Sequence, residues 1–244
     1  MKALIIDDER LARQELKSLL SDYSEIEIIG EANNADEAIE QIKEKQPDLI
    51  FLDIQMPEKN GFQMLEQLDA VPYVIFVTAY DEYALKAFEV NALDYLLKPI
   101  QTKRLDEALK KVMQIESKTK VHVYPEHSII QGLLGENDQV FVKDGEKCWF
   151  VKLSEIRLFE SEGNYVRVYF NSNRPLILKS LNSLEERLDS KAFFRASRKH
   201  IINLKWISKI ESWFNGGLMV TLEGGEQVEI SRRQSAKFRE MMSL

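Results

Sequence analysis

Five polar residues stand where short apolar runs end: Asp7 and Asp8 after ALII (3–6), Asp53 after LIFL (49–52), Thr78 after YVIFV (73–77) and Lys98 after LDYLL (93–97). In an open parallel sheet, the crevice that binds ligands lies outside the carboxyl ends of the strands. Such a sheet would aim three carboxylates, a hydroxyl and an ammonium at one place. Carboxylates crowded within a few Å cannot all stay ionised without a cation, because like charges raise each other's pKa. A hard divalent ion with oxygen ligands, Mg²⁺ above all, resolves that conflict. A carboxylate beside Mg²⁺ can attack a phosphoryl group, with the ion and Lys98 offsetting charge on the equatorial oxygens while Thr78 donates a hydrogen bond. The product is an aspartyl phosphate.

The neighbours of these residues fit that chemistry. Pro57 and Gly61 suit a tight loop after Asp53 that leaves room for the phosphate. Lys98-Pro99 biases Lys98 toward an extended conformation, and the bond between them could be cis. Each residue alone has a plainer reading, since an Asp at a strand end is most often a helix cap and a Lys before Pro is usually solvated. The joint pattern is harder to reach by accident, because every polar group would have to end the right strand.

The elements that must hold these groups are legible in the first half. IEIIG (26–30) supplies one further strand-like run, and amphipathic segments lie between the runs. Ala35, Ala38, Ile39 and Ile42 fall at i, i+3, i+4 and i+7, as do Leu105, Ala108, Leu109 and Val112. Five strands alternating with five helices imply an α/β unit, a doubly wound parallel sheet covered on both faces. Helical character fades after residues 112–115. From residue 137 the runs are short and β-like: QVFVKDG, KCWFVKL, IRLFESEG, NYVRVYF, WISKIESW, LMVTLEGG and QVEIS. Hairpin turns are expected at Lys143–Gly145 and Asn215–Gly217. Only Ser180–Leu188 and Ser231–Met242 read as helices there, so the second half is mainly β with two short helices. The expected boundaries are 1–118, a linker over 119–136, and 137–244.

Composition agrees with two units. The chain has 244 residues, 44% hydrophobic and 30% charged, enough for two cores. A single cysteine, Cys148, excludes an internal disulfide and fits a reducing cytoplasm. No run approaches the ~20 apolar residues that a membrane-spanning helix needs, so no membrane insertion is expected. The net charge of -7 hides an asymmetry: residues 1–115 hold 13 Lys and Arg against 23 Asp and Glu, residues 116–244 hold 20 against 17. An acidic half joined to a mildly basic one suits halves with different partners.

The cations of the basic half are clustered. In SRRQ, Ser231 and Gln234 have the spacing of a capping box, which puts Arg232 and Arg233 in the first turn of a helix. There they oppose the helix dipole but, with the free N–H groups, make a phosphate site. FFRASRKH (193–200) brings Arg195, Arg198 and Lys199 together, and GNYVRVYF adds Asn164, Tyr165 and Arg167. Arg and Asn suit base edges, Lys and Arg suit phosphates, and hairpin loops would carry them, since the two helices form no helix-turn-helix pair. A β domain with scattered surface cations is the plainer alternative.

In the first half, IIDDE, LDIQMP, the Thr of VTAYD, and DYLLKP resemble the signature of response-regulator receiver domains, over about residues 1–118. That resemblance implies a flavodoxin-like fold with Asp53 as phosphoacceptor for a partner sensor histidine kinase. It implies that Asp8, Asp53 and the backbone carbonyl of Gln55 hold Mg²⁺, with Asp7 as second acid. Thr78 and Tyr95 are implied to form the switch, the hydroxyl following the phosphoryl group and the ring turning inward. Switching would reshape the face around Glu82–Lys111, made by the fourth helix, fifth strand and fifth helix, where receivers often form dimers. Tyr80, directly after Thr78-Ala79, departs from many receivers and makes the start of the fourth helix more aromatic.

In the second half, ESEGNYVRV, SLNSLEERL, FFRASRKHIINL and ISRRQ resemble LytTR-type DNA-binding domains, over about residues 137–242. The resemblance implies loops that enter successive major grooves of direct-repeat promoter sites, with contacts near Asn164 and Tyr165, at Arg198 and Lys199, and at the Arg232-Arg233 pair, chiefly Arg233. Many members have His-Arg where this chain has Ser197-Arg198. The expectation is therefore a phosphorylation-switched transcription regulator, not an enzyme, that binds double-stranded promoter DNA as a homodimer. Gly224-Gly225-Glu226 is similar to the turn of cyclic-dinucleotide synthases, but Gln227 stands where a metal-binding acid is wanted, and a hairpin turn is the better reading. An Asp-nucleophile phosphatase would want an acid at Gln55. A protein-interaction module without DNA binding is the remaining alternative.

Overall fold

A computed structural model describes residues 1–79, 93–119 and 133–242, which fall into two compact units. The first holds β1 (Lys2–Ile6), α1 (Arg10–Leu20), β2 (Glu27–Ala32), α2 (Ala35–Lys45), β3 (Leu49–Leu52), α3 (Gly61–Glu66), β4 (Tyr73–Thr78), β5 (Asp94–Leu97) and α4 (Thr102–Thr119). All five strands are parallel, in the order β2-β1-β3-β4-β5. The fourth helix expected from the sequence, with Tyr80 and the Glu82 end of the switching face around Glu82–Lys111, falls at residues 80–92, outside the described residues.

Alternation along the strands sorts the core. Ala3, Ile5, Leu49, Phe51, Ile75 and Val77 pack with Leu16 and Leu20 of α1 and with Leu105, Ala108, Leu109 and Val112 of α4. Every residue of LIFL is buried, as a strand covered on both faces requires. α4 runs on to Thr119, beyond residues 112–115 where helical character fades in the sequence. β2 begins and ends later than IEIIG suggests: its pairing with β1 continues through Glu31 and Ala32, past a bulge between Ala3 and Leu4.

The second unit is mainly β, as expected. β6 (Gln139–Asp144) and β7 (Lys147–Lys152) form a hairpin, of which residues 147–150 group with the first unit. β8 (Ile156–Glu162), β9 (Tyr165–Phe170), β10 (Leu176–Ile177), β11 (Phe193–Arg195) and β12 (His200–Asn203) make a sheet in the order β10-β9-β8-β12-β11. β13 (Ile207–Ser212), β14 (Leu218–Leu222) and β15 (Gln227–Ile230) make a three-stranded sheet. Two helices complete it, α5 (Leu181–Glu185) and α6 (Arg232–Met242). Leu158, Tyr169, Phe194, Ala196 and Ile202 from the larger sheet share one core with Leu218, Val220, Leu222, Val228 and Ile230 from the smaller, and Phe238 of α6 plugs it.

Three details differ from the sequence reading. The β6–β7 turn sits on Gly145-Glu146, with Gly145 at φ 61, one residue beyond the expected position. α5 starts at the expected cap, where Ser180 Oγ accepts from Ser183 N at 3.1 Å, but ends before Leu188. Arg187 and Asp189 there pair through their backbone with Leu134, at 2.6 and 3.1 Å. The short strands β10, β11 and β12 carried no clear signal; β11 and β12 are the two arms of FFRASRKHIIN, where a basic turn masks the alternation.

Candidate functional site

Parallel pairing brings the ends of β1, β3, β4 and β5 into line. Asp53 N donates to Ile6 O at 2.8 Å and Lys98 N donates to Thr78 O at 2.9 Å, so each polar residue follows its strand at the same edge of the sheet. Asp7 and Asp53 are buried, at 4% and 5% exposure, and Asp8 is exposed. Carboxylate oxygens of Asp7, Asp8 and Asp53 all lie within 4.8 Å of one another. Lys98 Nζ lies between two of these acids, 2.6 Å from Asp53 Oδ2 and 2.7 Å from Asp7 Oδ2, with Glu9 farther out at 3.7 Å.

Backbone donors fix both buried acids. Asp7 Oδ1 accepts from Glu9 N at 2.9 Å and Asp53 Oδ1 from Gln55 N at 3.1 Å. Burial pushes the Asp7 carboxyl above its ordinary 3.8, against the pull of the Lys98 hydrogen bond. Burial alone would lower Lys98, but its hydrogen bonds to Asp53 and Asp7 outweigh it and hold the ammonium above 10.5. One cation thus serves two acids, and the group remains rich in oxygen ligands of the kind that Mg²⁺ takes. Thr78 is fully buried and its Oγ1 has no hydrogen-bond partner among the described residues. A buried hydroxyl with nothing to bond is costly, and a ligand oxygen arriving in the crevice would satisfy it.

Gly61 shapes the loop between Asp53 and α3. A Cβ at Gly61 would lie 2.6 Å from Asp53 O and 3.2 Å from Ile54 Cα, so only glycine lets the loop pass this close to the acid. Gly61 N donates to Ile54 O at 2.8 Å, and a capping box between Asn60 and Gln63 starts α3. The Lys98-Pro99 bond is cis. Tyr95 is buried on β5 beside Asp94, whose carboxylate takes Arg104 and Lys111 of α4, each at 2.8 Å. Arg104 also donates to Tyr95 O at 3.2 Å. This network ties the strand carrying Tyr95 to α4; no sequence signal marked it, because Asp94 reads as one more polar residue in DYLL.

In the second unit, one open groove of about 930 Å³ is lined by Arg198, Lys199 and Arg233 together with Asn182, Glu185 and Glu229. Two clusters far apart in sequence therefore meet. Arg198, Lys199 and Arg233 are exposed, and their side chains make no hydrogen bond or ion pair with a described residue. Arg232 turns away from this groove; its stem lies 3.7 Å from where a Cβ at Gly216 would stand, against the Asn215–Gly217 turn that the sequence predicts. Asn164 and Tyr165 sit at the exposed tip of the β8–β9 hairpin, a two-residue turn with Gly163 at φ 62. That hairpin is joined to the Arg198-Lys199 turn where Ser161 N donates to Lys199 O at 2.8 Å. Arg167 is held by Glu162 on the same hairpin. Gly224-Gly225-Glu226 is a hairpin turn, and Glu226 pairs with buried Arg157 at 2.7 Å.

Comparison with known proteins decides the family. The model of the response regulator receiver domain matches residues 3–110, and that of the LytTr DNA-binding domain matches residues 146–243. The sensory transduction protein LytT of Enterococcus faecalis is 34% identical over 247 residues, covering all of both chains. The chain belongs to the LytT/LytR response regulators. A transcriptional regulatory protein LytR of Staphylococcus aureus is likewise 34% identical over 248 residues, covering all of both chains. The response regulatory domain of mrkE from Klebsiella pneumoniae, 36% identical, covers 48% of this chain and 99% of its own, with a TM-score of 0.44. By the two family matches, the parallel unit is a receiver and the antiparallel unit a LytTR domain. Together they make a two-component transcriptional regulator rather than an enzyme, with a histidine kinase and DNA as partners. No helix among the described residues is long and apolar enough to cross a membrane.

Proposed function

We propose that Asp53 is the phosphoacceptor of this receiver and that its phosphorylation switches DNA binding by the LytTR domain. The observation that carries the proposal is one ammonium, Lys98, paired with two buried carboxylates beside a buried Thr78 hydroxyl that lacks a partner. In the transfer, an Asp53 oxygen forms the new O–P bond as the P–N bond to the kinase histidine breaks, and the imidazole keeps the electron pair. Lys98 offsets charge on the phosphoryl oxygens and Thr78 donates to one of them. Asp7, Asp8, Asp53 and the backbone carbonyl of Gln55 suit Mg²⁺, which when bound would add Lewis-acid stabilisation to the same oxygens. Thr78 following the phosphoryl group and Tyr95 turning inward would then carry the change to α4 through the Asp94 network.

On the output side, Asn164, Tyr165, Arg198, Lys199 and Arg233 contact promoter DNA, with Arg233 and Arg198 nearest the base edges, and Arg232, turned toward the Asn215–Gly217 turn, is set aside as a contact. The regulator forms a homodimer on phosphorylation, through the face of β5 and α4, and binds direct repeats in the cytoplasm. The receiver spans 1–118, the linker 119–136 and the DNA-binding domain 137–244; residues 120–132 of that linker lie outside the described residues. The test is labelling by a small acyl-phosphate donor with Mg²⁺, followed by enrichment of genomic fragments by the phosphorylated protein. Asp53→Asn should abolish labelling and with it the phosphorylation-dependent gain in enrichment. Labelling that persists in Asp53→Asn would remove Asp53 as acceptor.

A further inference from the structure

Arg195 reads in the sequence as one more cation in FFRASRKH, yet although it forms part of the wall of the Arg198–Arg233 groove, its guanidinium is bonded to the protein. Nε donates to Ser197 O at 2.7 Å, Nη2 to Arg198 O at 3.0 Å, and Nη1 to Glu185 Oε2 at 3.4 Å, at the end of α5. Its side chain is only 14% exposed. The residues it holds form the turn from β11 to β12, and that turn carries Arg198 and Lys199. Further bonds close the same turn: Ala196 N to His200 O at 3.0 Å, Lys199 N to Ser197 Oγ at 3.1 Å, and Ser197 Oγ with His200 Nδ1 at 3.1 Å.

The geometry points to Arg195 as a positioning residue for specificity: it sets the Ser197–Lys199 turn so that Arg198 meets base edges, without touching DNA itself. The inference rests on the reading of Arg198 as a DNA contact. Two consecutive carbonyls bridged by one planar fork leave the turn a single shape, and a lysine cannot reproduce two diverging donors. The charge of Arg195 is taken up by Glu185 and the two carbonyls, so it releases no counterion from a phosphate. Glu185 anchors the fork from α5, which makes the Ser180 helix part of the DNA-reading apparatus.

The full-length phosphorylated protein should be measured against a selected promoter site and a scrambled duplex over a range of salt. Arg195→Met keeps the apolar stem and Arg195→Lys keeps the charge; both should lose ~10-fold or more in affinity for the selected site. Their binding to the scrambled duplex and the slope of log K against log salt should match wild type. Arg198→Ala, by contrast, should relax sequence preference where it reads base edges. A salt slope reduced in Arg195→Met but kept in Arg195→Lys would make Arg195 a direct phosphate contact and overturn the inference, as would unchanged preference in both variants. If Arg195→Met loses its folded circular dichroism, Arg195→Lys decides alone. Wild type without sequence preference would instead overturn the DNA reading itself.

Discussion

Lys98 and Asp53 are joined by a 2.6 Å ion pair across 45 residues of chain, and the same ammonium reaches Asp7 at 2.7 Å. β4 and β5 make this possible, since their parallel register carries Thr78 opposite Leu97 and delivers Lys98 one residue later. Two buried carboxylates sharing one ammonium leave a net negative charge in a crevice of low dielectric. That charge is tolerable because backbone N–H groups of Glu9 and Gln55 also hold the acids, and it predisposes the site to a further cation.

Thr78→Val should leave receiver stability unchanged or raise it by up to ~1 kcal/mol, because it removes a buried hydroxyl that has no partner at nearly constant volume. Labelling of Asp53 should persist while the gain in DNA binding on phosphorylation is lost. Urea unfolding and DNA binding before and after phosphorylation measure the two effects. A marked loss of stability would mean that the hydroxyl is bonded in the free receiver.

Gly61→Ala should destabilise the receiver by about 1–3 kcal/mol, since the new methyl would meet Asp53 O at 2.6 Å and the backbone must shift to admit it. Because the shifted atom belongs to Asp53 itself, the rate of labelling should fall as well. Single-turnover labelling of the folded variant tests this; an unchanged rate would separate the loop from the acid.

Glu226→Gln should destabilise the LytTR domain by about 3–5 kcal/mol at neutral pH, because it leaves buried Arg157 without its counter-ion. The hydrogen bonds from Arg157 hold the Glu226 carboxyl below its ordinary 4.5, despite burial that would raise it. A depressed folded value contributes stability above about pH 4.5 that disappears as pH falls through the folded value. The acid limb of the wild-type stability curve should therefore flatten in the variant. Denaturant midpoints between neutral pH and pH 3 check it, and parallel curves would refute the pairing as its source.

Phe238→Ala should cost about 3–5 kcal/mol, since this fully buried ring packs edge-on against Phe194 at 5.1 Å and joins α6 to both sheets. Loosening α6 also loosens Arg233, so DNA affinity should fall while the receiver still accepts phosphate. Thermal unfolding together with labelling separates the two domains.

Much of the receiver was legible in its sequence, because a doubly wound parallel sheet leaves strong local signals. LIFL has to be buried on both faces, and a charge at its end has to lie at the crevice. The LytTR half was less legible. Its runs beside glycine turns identified seven strands, but β10, β11 and β12 are two to four residues long, too short for a local period to record them.

The sequence by itself determined which residues carry the chemistry: Asp7, Asp8, Asp53, Thr78 and Lys98 at strand ends, and arginines in two basic clusters. Residue type and strand alternation are local properties, and they survive without coordinates. Only the tertiary structure decided which way those groups face. It put Lys98 between Asp7 and Asp53, joined Arg198 and Lys199 to Arg233 in one groove while turning Arg232 aside, and turned Arg195 inward onto the turn it holds. Direction depends on pairing between strands distant in sequence and on neighbours such as Glu185, which no spacing along the chain encodes.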